Sequence, residues 1–391
     1  MKARPLVNAL VLLTLAVGAC APASAQTISA LAADLQALQA QIASGDKSAY
    51  AAQPERLKAI GAAIAAAKPE VWQSKTETDA AVIYLLSGGQ PRDLVQLLQS
   101  GAVPKSEVSL MRGAIAYIVG NETEAKALLG DFDPRKLDLR LAGQVAFAQS
   151  VIETSRDEKK AIALLDLARL LAPGGLVEEA ALRREVSLVG DQRDIDRFVA
   201  LSRQYATRFG RSVYADNFLQ GLAAAVLQAS MIEDVPSFQK FRALASSLTP
   251  DIRRGFLLTI ARAEALNGKF AIAGLASSEA LRAAPSDSPD EARGRLYEAA
   301  ARILTPEYDD GVAELQSVAP SKLDKRDQAL LGAVRGVAAY LREPPGDIDP
   351  GHEQASPPQG GSDRAAATIA LAEAAISRTA ALATVAEKGN L

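Results

Sequence analysis

Chemistry near neutral pH asks for a base that titrates there, and this chain offers one histidine, His352. It stands in Asp349-Pro-Gly-His352, among prolines and glycines, where no neighbouring element would orient it or shift its pKa. Cys20 is the single thiol and lies ahead of the expected mature start, so neither a thiolate nucleophile nor a Cys/His zinc site can be assembled. Gly-x-Ser-x-Gly, Gly-x-Gly-x-x-Gly and the P-loop are absent from the sequence. That leaves carboxylates, chiefly Glu178-Glu179 and Asp309-Asp310. A glycan-cleaving dyad needs two carboxyls facing one bond. Adjacent helical residues point about 100° apart, so both pairs read as solvated helix surface or a helix first turn. Asp347 and Asp349 beside Gly346 make too short a ligand series for calcium. The sequence therefore predicts no enzyme, no cofactor and no metal.

The residues that stand out are aromatic and basic. Tyr205, Arg208, Phe209, Arg211, Tyr214, Asn217 and Phe218 fall within fourteen residues of a chain in which aromatics are only 5%. Tyr and Arg dominate protein-binding hot spots because they join a large contact area to fixed polar groups. This stretch is the candidate protein-binding surface. The competing reading packs Phe209, Tyr214 and Phe218 into the core between two hairpins. If Arg208 and Arg211 are exposed, they are expected to meet acidic or carbonyl groups of a partner.

The elements that would hold this stretch read as helices throughout. Ile28, Leu31, Leu35, Leu38 and Ile42 make one apolar stripe ending at Ser44-Gly45. Leu57, Ile60 and Ile64 continue it, with Pro54 at a helix start. Ala81 to Leu86 is an apolar run stopped by Ser87-Gly88-Gly89, and Pro91 opens the next helix over Asp93 to Leu98. Val82 to Leu86 would also suit a strand, but no second candidate strand exists to pair with it. Turns are expected at Gly190-Asp191 and Asn267-Gly268.

Part of the chain follows the spacing of tetratricopeptide units, helical hairpins of about 34 residues with small side chains where the helices cross. A unit counted from Arg254 puts Ala261, Ala273 and Ala280 at the small positions, Gly268 in the turn and Pro285 near the end. Glu264 and Ser277 depart from the pattern. A unit from Ala142 places Ala161, Leu165, Ala168 and Pro173 correctly but has Gln149 at a small position. Ser109 to Leu129, broken at Gly120-Asn121, is a looser third hairpin. The expected fold is all-α, an array of antiparallel helical hairpins forming a tetratricopeptide-like α-solenoid, against the alternative of a generic bundle.

Residues 1–25 have the form of an export signal: Lys2 and Arg4, an apolar stretch from Leu6 to Ala19, then Ala23-Ser24-Ala25. Cleavage after Ala25 would make Gln26 the mature start and place the protein in the periplasm. Val17-Gly18-Ala19-Cys20 also reads as a lipobox, with Cys20 lipidated and the chain lipid-anchored on the periplasmic side. Loss of Lys2 and Arg4 takes the net charge from −3 to −5. An acidic balance without a basic face argues against nucleic-acid binding, and no membrane span is expected after the leader is removed. The predicted organisation is a helical-repeat domain over 26–343, a Pro/Gly-rich linker over 344–363 and an Ala-rich C-terminal helix over 364–391.

Three stretches carry a family resemblance: Ala81-Val-Ile-Tyr-Leu-Leu-Ser-Gly-Gly89, the run from Leu170 to Glu185 that begins Leu-Leu-Ala-Pro-Gly-Gly, and Arg208-Phe209 to Tyr214-Ala215. With the leader and the overall length, they make the sequence resemble the MotC family of periplasmic flagellar-motor proteins. The resemblance implies a non-enzymatic chaperone or partner that assists or stabilises the periplasmic part of the stator subunit MotB, supporting motor rotation and swimming. Two rivals keep other classes open: a helical-repeat lipoprotein scaffold in envelope assembly, and a carboxylate-dependent cell-wall enzyme.

Overall fold

The helix stripes read from the sequence close on caps of the expected chemistry. Thr27 accepts from the Ala30 amide at the first helix, and Gly45 ends that helix at φ +103°, a conformation costly for any residue with a Cβ. Asp46, Asn121, Asp157 and Asp194 cap later helices through their side chains, and Asp234 forms a capping box with Ser237. The computed structural model describes residues 26–342. The leader 1–25 with Cys20 and Ala25, the linker 344–363 with His352, and the predicted helix 364–391 lie outside the described residues.

Among the described residues the chain is helical with short 3₁₀ turns and no strand. The first half contains α1 (Ile28–Ser44), α2 (Lys47–Ala66), α3 (Lys75–Leu86), α4 (Pro91–Gln99), α5 (Lys105–Ile118), α6 (Glu122–Leu129), α7 (Leu139–Glu153) and α8 (Glu158–Leu171). The second contains α9 (Leu176–Asp191), α10 (Ile195–Phe209), α11 (Ala215–Gln228), α12 (Val235–Ala245), α13 (Pro250–Leu266), α14 (Phe270–Arg282), α15 (Pro289–Arg302), α16 (Tyr308–Ser317) and α17 (Lys325–Arg342). No described helix is long and apolar enough to cross a membrane. One compact unit extends to Val334, and a second unit begins at Arg335.

Neighbouring helices pair as hairpins, among them α1–α2, α5–α6, α7–α8, α9–α10, α13–α14 and α15–α16, and alternate helices stack into rows. Helices α7, α9, α11, α13 and α15 follow one another on one row, with α10, α12 and α14 on the other. The fold is thus the all-α hairpin array that the sequence predicts. Ala261, Ala273 and Ala280 are buried between α13 and α14, and Gly268 turns between them at φ +75°. Alanine is required there because bulk would push the helices apart. Ala161, Leu165 and Ala168 are equally buried where α8 packs on α7. The misfit residue Gln149 is buried too, but its amide donates to the carbonyls of Leu129 and Phe132 at 2.6 and 2.8 Å. It satisfies a turn instead of filling a small-residue slot.

Three local expectations need correction. Pro54 does not begin a helix: α2 starts at Lys47, capped by Asp46, and Pro54 lies inside it. The ring removes the N–H that the Tyr50 carbonyl, four residues back, would have accepted. The turn after α9 falls at Gln192-Arg193, with Arg193 at φ +58°, not at Gly190-Asp191, which completes the helix. Glu178 and Glu179 do form a first turn, as one reading held, but they are buried and not solvated. Asp309 and Asp310 are exposed in the first turn of α16.

The array also touches itself at long range. Helix α1 packs on α9 and α10, far along the chain. Gly45 marks the contact: a Cβ there would sit 2.3 Å from the Arg211 carbonyl oxygen. Burial on this scale contributes about 1.5–3 kcal/mol for each large apolar side chain, and Leu35, Ile42, Trp72, Phe198, Phe238 and Phe241 are all enclosed.

Candidate functional site

Helix α9 organises the region around the aromatic–basic stretch, because its buried acids each hold a neighbouring element. Glu185 receives Arg169 of α8 and Arg197 of α10, both at 2.6 Å. Burial raises the Glu185 pKa, opposed by hydrogen bonds and charge from those arginines. Glu178 accepts from Arg208 at 2.7 Å and from the Gly174 amide at 2.6 Å. Glu179 accepts from the Tyr205 hydroxyl at 2.8 Å. With these acids committed to structural partners, neither Glu178 nor Glu179 faces the other across a cleft.

Those contacts sort the candidate residues. Tyr205 is 0% exposed and Phe209 3%, so the assignment of these two to a partner surface is corrected: they are core. The Tyr205 ring packs on Phe209 at 5.9 Å and on Phe218 at 4.4 Å between centroids. Burial and then the Glu179 carboxyl hold the Tyr205 hydroxyl far above its ordinary pKa, so it remains a donor. Arg208 is 44% exposed but is tied back to Glu178 and lies over the Phe209 ring. Arg211 and Asn217 are exposed, and Tyr214 and Phe218 are half-buried. The stretch is therefore two-sided, with a core half on α10 and a surface half at the turn into α11.

The surface half borders a groove. Tyr214 meets Tyr50 of α2 edge-on, 6.1 Å between centroids and 84° between planes. Partial burial raises the Tyr214 pKa, with Tyr50 and Glu179 adding to the shift. On one side lies a cavity of about 1030 Å³ lined by Tyr50, Pro54, Lys58, Tyr84, Asp93 and Tyr214. Tyr214 also lines a second cavity of about 500 Å³, with Arg183, Asn217 and Phe218. These last three line a third cavity of about 680 Å³ that runs along α9 and α11 toward Gly190. Shared walls make the three adjoining.

Tyr84 shapes the far end. Its hydroxyl donates to Asp93 at 2.5 Å and accepts from the Gln90 amide at 3.0 Å. Burial, with the Asp93 hydrogen bond, pushes its pKa up to about 12. Gly89 is needed against the ring, since a Cβ there would lie 2.5 Å from two of its carbons. The segments 81–89, 170–185 and 208–215 thus converge: the first supplies Tyr84 and Gly89, the second Arg183 and the buried glutamates, the third Tyr214. Sequence reasoning missed Arg183, Tyr50 and Tyr84 as groove residues. They are far apart in the chain, and only the packing of α1 on α9 and α10, which sets Tyr50 of α2 against Tyr214, brings them together.

The family model described as MotC, chemotaxis protein MotC, matches residues 1–390. The chemotaxis protein MotC of Rhizobium meliloti (strain 1021) is 28% identical over 313 residues, covering 80% of this chain and 71% of that protein. Among solved structures, the crystal structure of the P58(IPK) TPR domain aligns over 76% of this chain and 86% of that one. It does so with 13% identity and a TM-score of 0.26.

Proposed function

The chain belongs to the MotC family of chemotaxis proteins, and from that membership and its groove we propose a non-enzymatic periplasmic protein that binds and stabilises the periplasmic part of the stator subunit MotB. The observation that carries this reading is the convergence of 81–89, 170–185 and 208–215 on one groove beside Tyr214. Shape and residue type support binding: edge-on tyrosines, an exposed Arg211 and Asn217, and adjoining cavities on either side of Tyr214. The acids at its base are tied to Arg208 and Tyr205, which favours a scaffold over a hydrolase.

Co-purification of MotB from envelope extract tests the reading. Arg211→Ala with Asn217→Ala should weaken capture and slow swimming while leaving helical content unchanged. Loss of a hot-spot anchor typically costs 2 kcal/mol or more, about thirtyfold in affinity. Full retention of MotB by the double variant would move the partner face elsewhere on the array. Export is checked by intact mass: the mature protein should begin at Gln26, and an acylated Cys20 would replace the soluble form with a lipid-anchored one.

A further inference from the structure

The groove contains a cation with no anion to meet it. Arg183 projects from α9 with its guanidinium carbon 5.2 Å from the centre of the Tyr214 ring. Its Nε is buried without a hydrogen-bond partner, and its guanidinium forms no ion pair with any described residue. Arg169 and Arg197 are answered by Glu185 and Arg208 by Glu178, while Arg184 donates to the Thr154 hydroxyl at the end of α7 and does not line these cavities. Glu179, one turn back on α9, gives one oxygen to Tyr205 and does not come within ion-pairing distance of Arg183. Asp191 and Asp216 line the cavities but are exposed to water.

A half-buried guanidinium that lies over an aromatic face, lines two cavities and has no anion of its own matches a carboxylate brought in by a ligand. The space is too large for a small anion, because Arg183 lines two adjoining cavities of about 500 and 680 Å³, each the size of a small-molecule site, and Tyr214 joins them to the first cavity. We propose that Arg183 is the carboxylate anchor of this groove and that its occupant is an acidic peptide segment of the partner. One Asp or Glu side chain meets the guanidinium, and the flanking residues lie on Tyr50, Tyr214 and Phe218. This rests on the protein-binding reading above and specifies the chemistry of the bound segment.

The test uses the full mature chain and fluorescence anisotropy with labelled peptides. The probes are a twelve-residue peptide of alternating Glu and Leu, its counterpart with Lys for Glu, and overlapping peptides covering the periplasmic part of MotB. The acidic probe should bind, and Arg183→Gln should weaken it by about tenfold or more. Arg183→Glu should exchange the preference toward the lysine probe. Asn217→Glu, at an exposed position beside the guanidinium, should also block the acidic probe, and it covers the case in which changes at Arg183 disturb folding. Acidic-probe binding unaffected by Arg183→Gln would overturn the proposal, as would free glutamate competing as well as the peptide does. MotB peptides that bind independently of Arg183 would overturn this anchor and leave the stator reading standing. Arg183-dependent capture of the acidic probe without any MotB peptide would keep the anchor and overturn that partner. Failure of every probe to bind would overturn both.

Discussion

Replacing Tyr205 with phenylalanine isolates what the hydroxyl contributes to the core. The hydroxyl donates to Glu179 Oε1 at 2.8 Å, while Glu179 Oε2 has no partner among the described residues and the side chain is 0% exposed. Tyr205→Phe keeps the ring against Phe209 and Phe218, so no cavity opens beyond the missing oxygen. It leaves a buried carboxyl with neither oxygen bonded. An unsatisfied buried acceptor costs about 1–3 kcal/mol, and the upper part of that range is expected because the second oxygen is already bare. Urea unfolding followed by far-UV circular dichroism reads the cost as a lower midpoint at unchanged slope. Removing the acceptor as well, in Tyr205→Phe with Glu179→Leu, should recover part of it, giving a coupling above about 0.5 kcal/mol in the double-mutant cycle. Partner affinity per folded molecule should not change. A cost below about 0.5 kcal/mol, or weakened partner binding at full stability, would refute the placement of Tyr205 in the core.

Ala273→Leu should overpack the α13–α14 crossing, where Ala273 is 0% exposed, and lower stability by about 1–3 kcal/mol in the same assay. Gly89→Ala must displace the Tyr84 ring and break its contact with Asp93, so it should destabilise, whereas Gly255→Ala on the open face of α13 should stabilise by about 0.5–1 kcal/mol. The Lys160 hydrogen bond, aided by Lys126, holds the Glu153 carboxyl below its ordinary pKa. A depressed native pKa gives stability that is full above the unfolded value and lost as pH falls through the native one. Glu153→Gln should therefore reduce stability at neutral pH and flatten its decline below about pH 4, as read by urea midpoints across pH.

The fold was legible because its rules are local. A stripe such as Ile28 to Ile42 with Gly45 behind it needs only the helical period and the left-handed cap to be read. The Ala261, Ala273 and Ala280 spacing reports a crossing between neighbouring helices, which sequence distance preserves. Pro54 misled because a proline at a helix start and one tolerated seven residues inside it look alike until the Asp46 cap is seen. Gln149 looked like a mismatch because its value lies in two carbonyls of a preceding turn.

The site was half legible, for a reason that bears on how such surfaces work. Residue type flags Tyr205 to Phe218 as unusual, but type alone does not separate a ring that fills a core from one that lines a groove. That division depends on helix phase: Tyr205 and Phe209, four apart, face inward on α10, while Tyr214 lies past the end of that helix. Glu178 and Glu179 looked like solvated charge because their partners, Arg208 and Tyr205, are 30 and 26 residues away. Arg183 could be recognised only once the buried acids of α9 had been assigned to other partners. The buried glutamates fix the backbone of α9 and α10, and that rigidity sets Arg183 against Tyr214 with its charge unanswered. An anchor placed this way loses little side-chain entropy on binding, so the internal ion pairs and the open groove are parts of one arrangement.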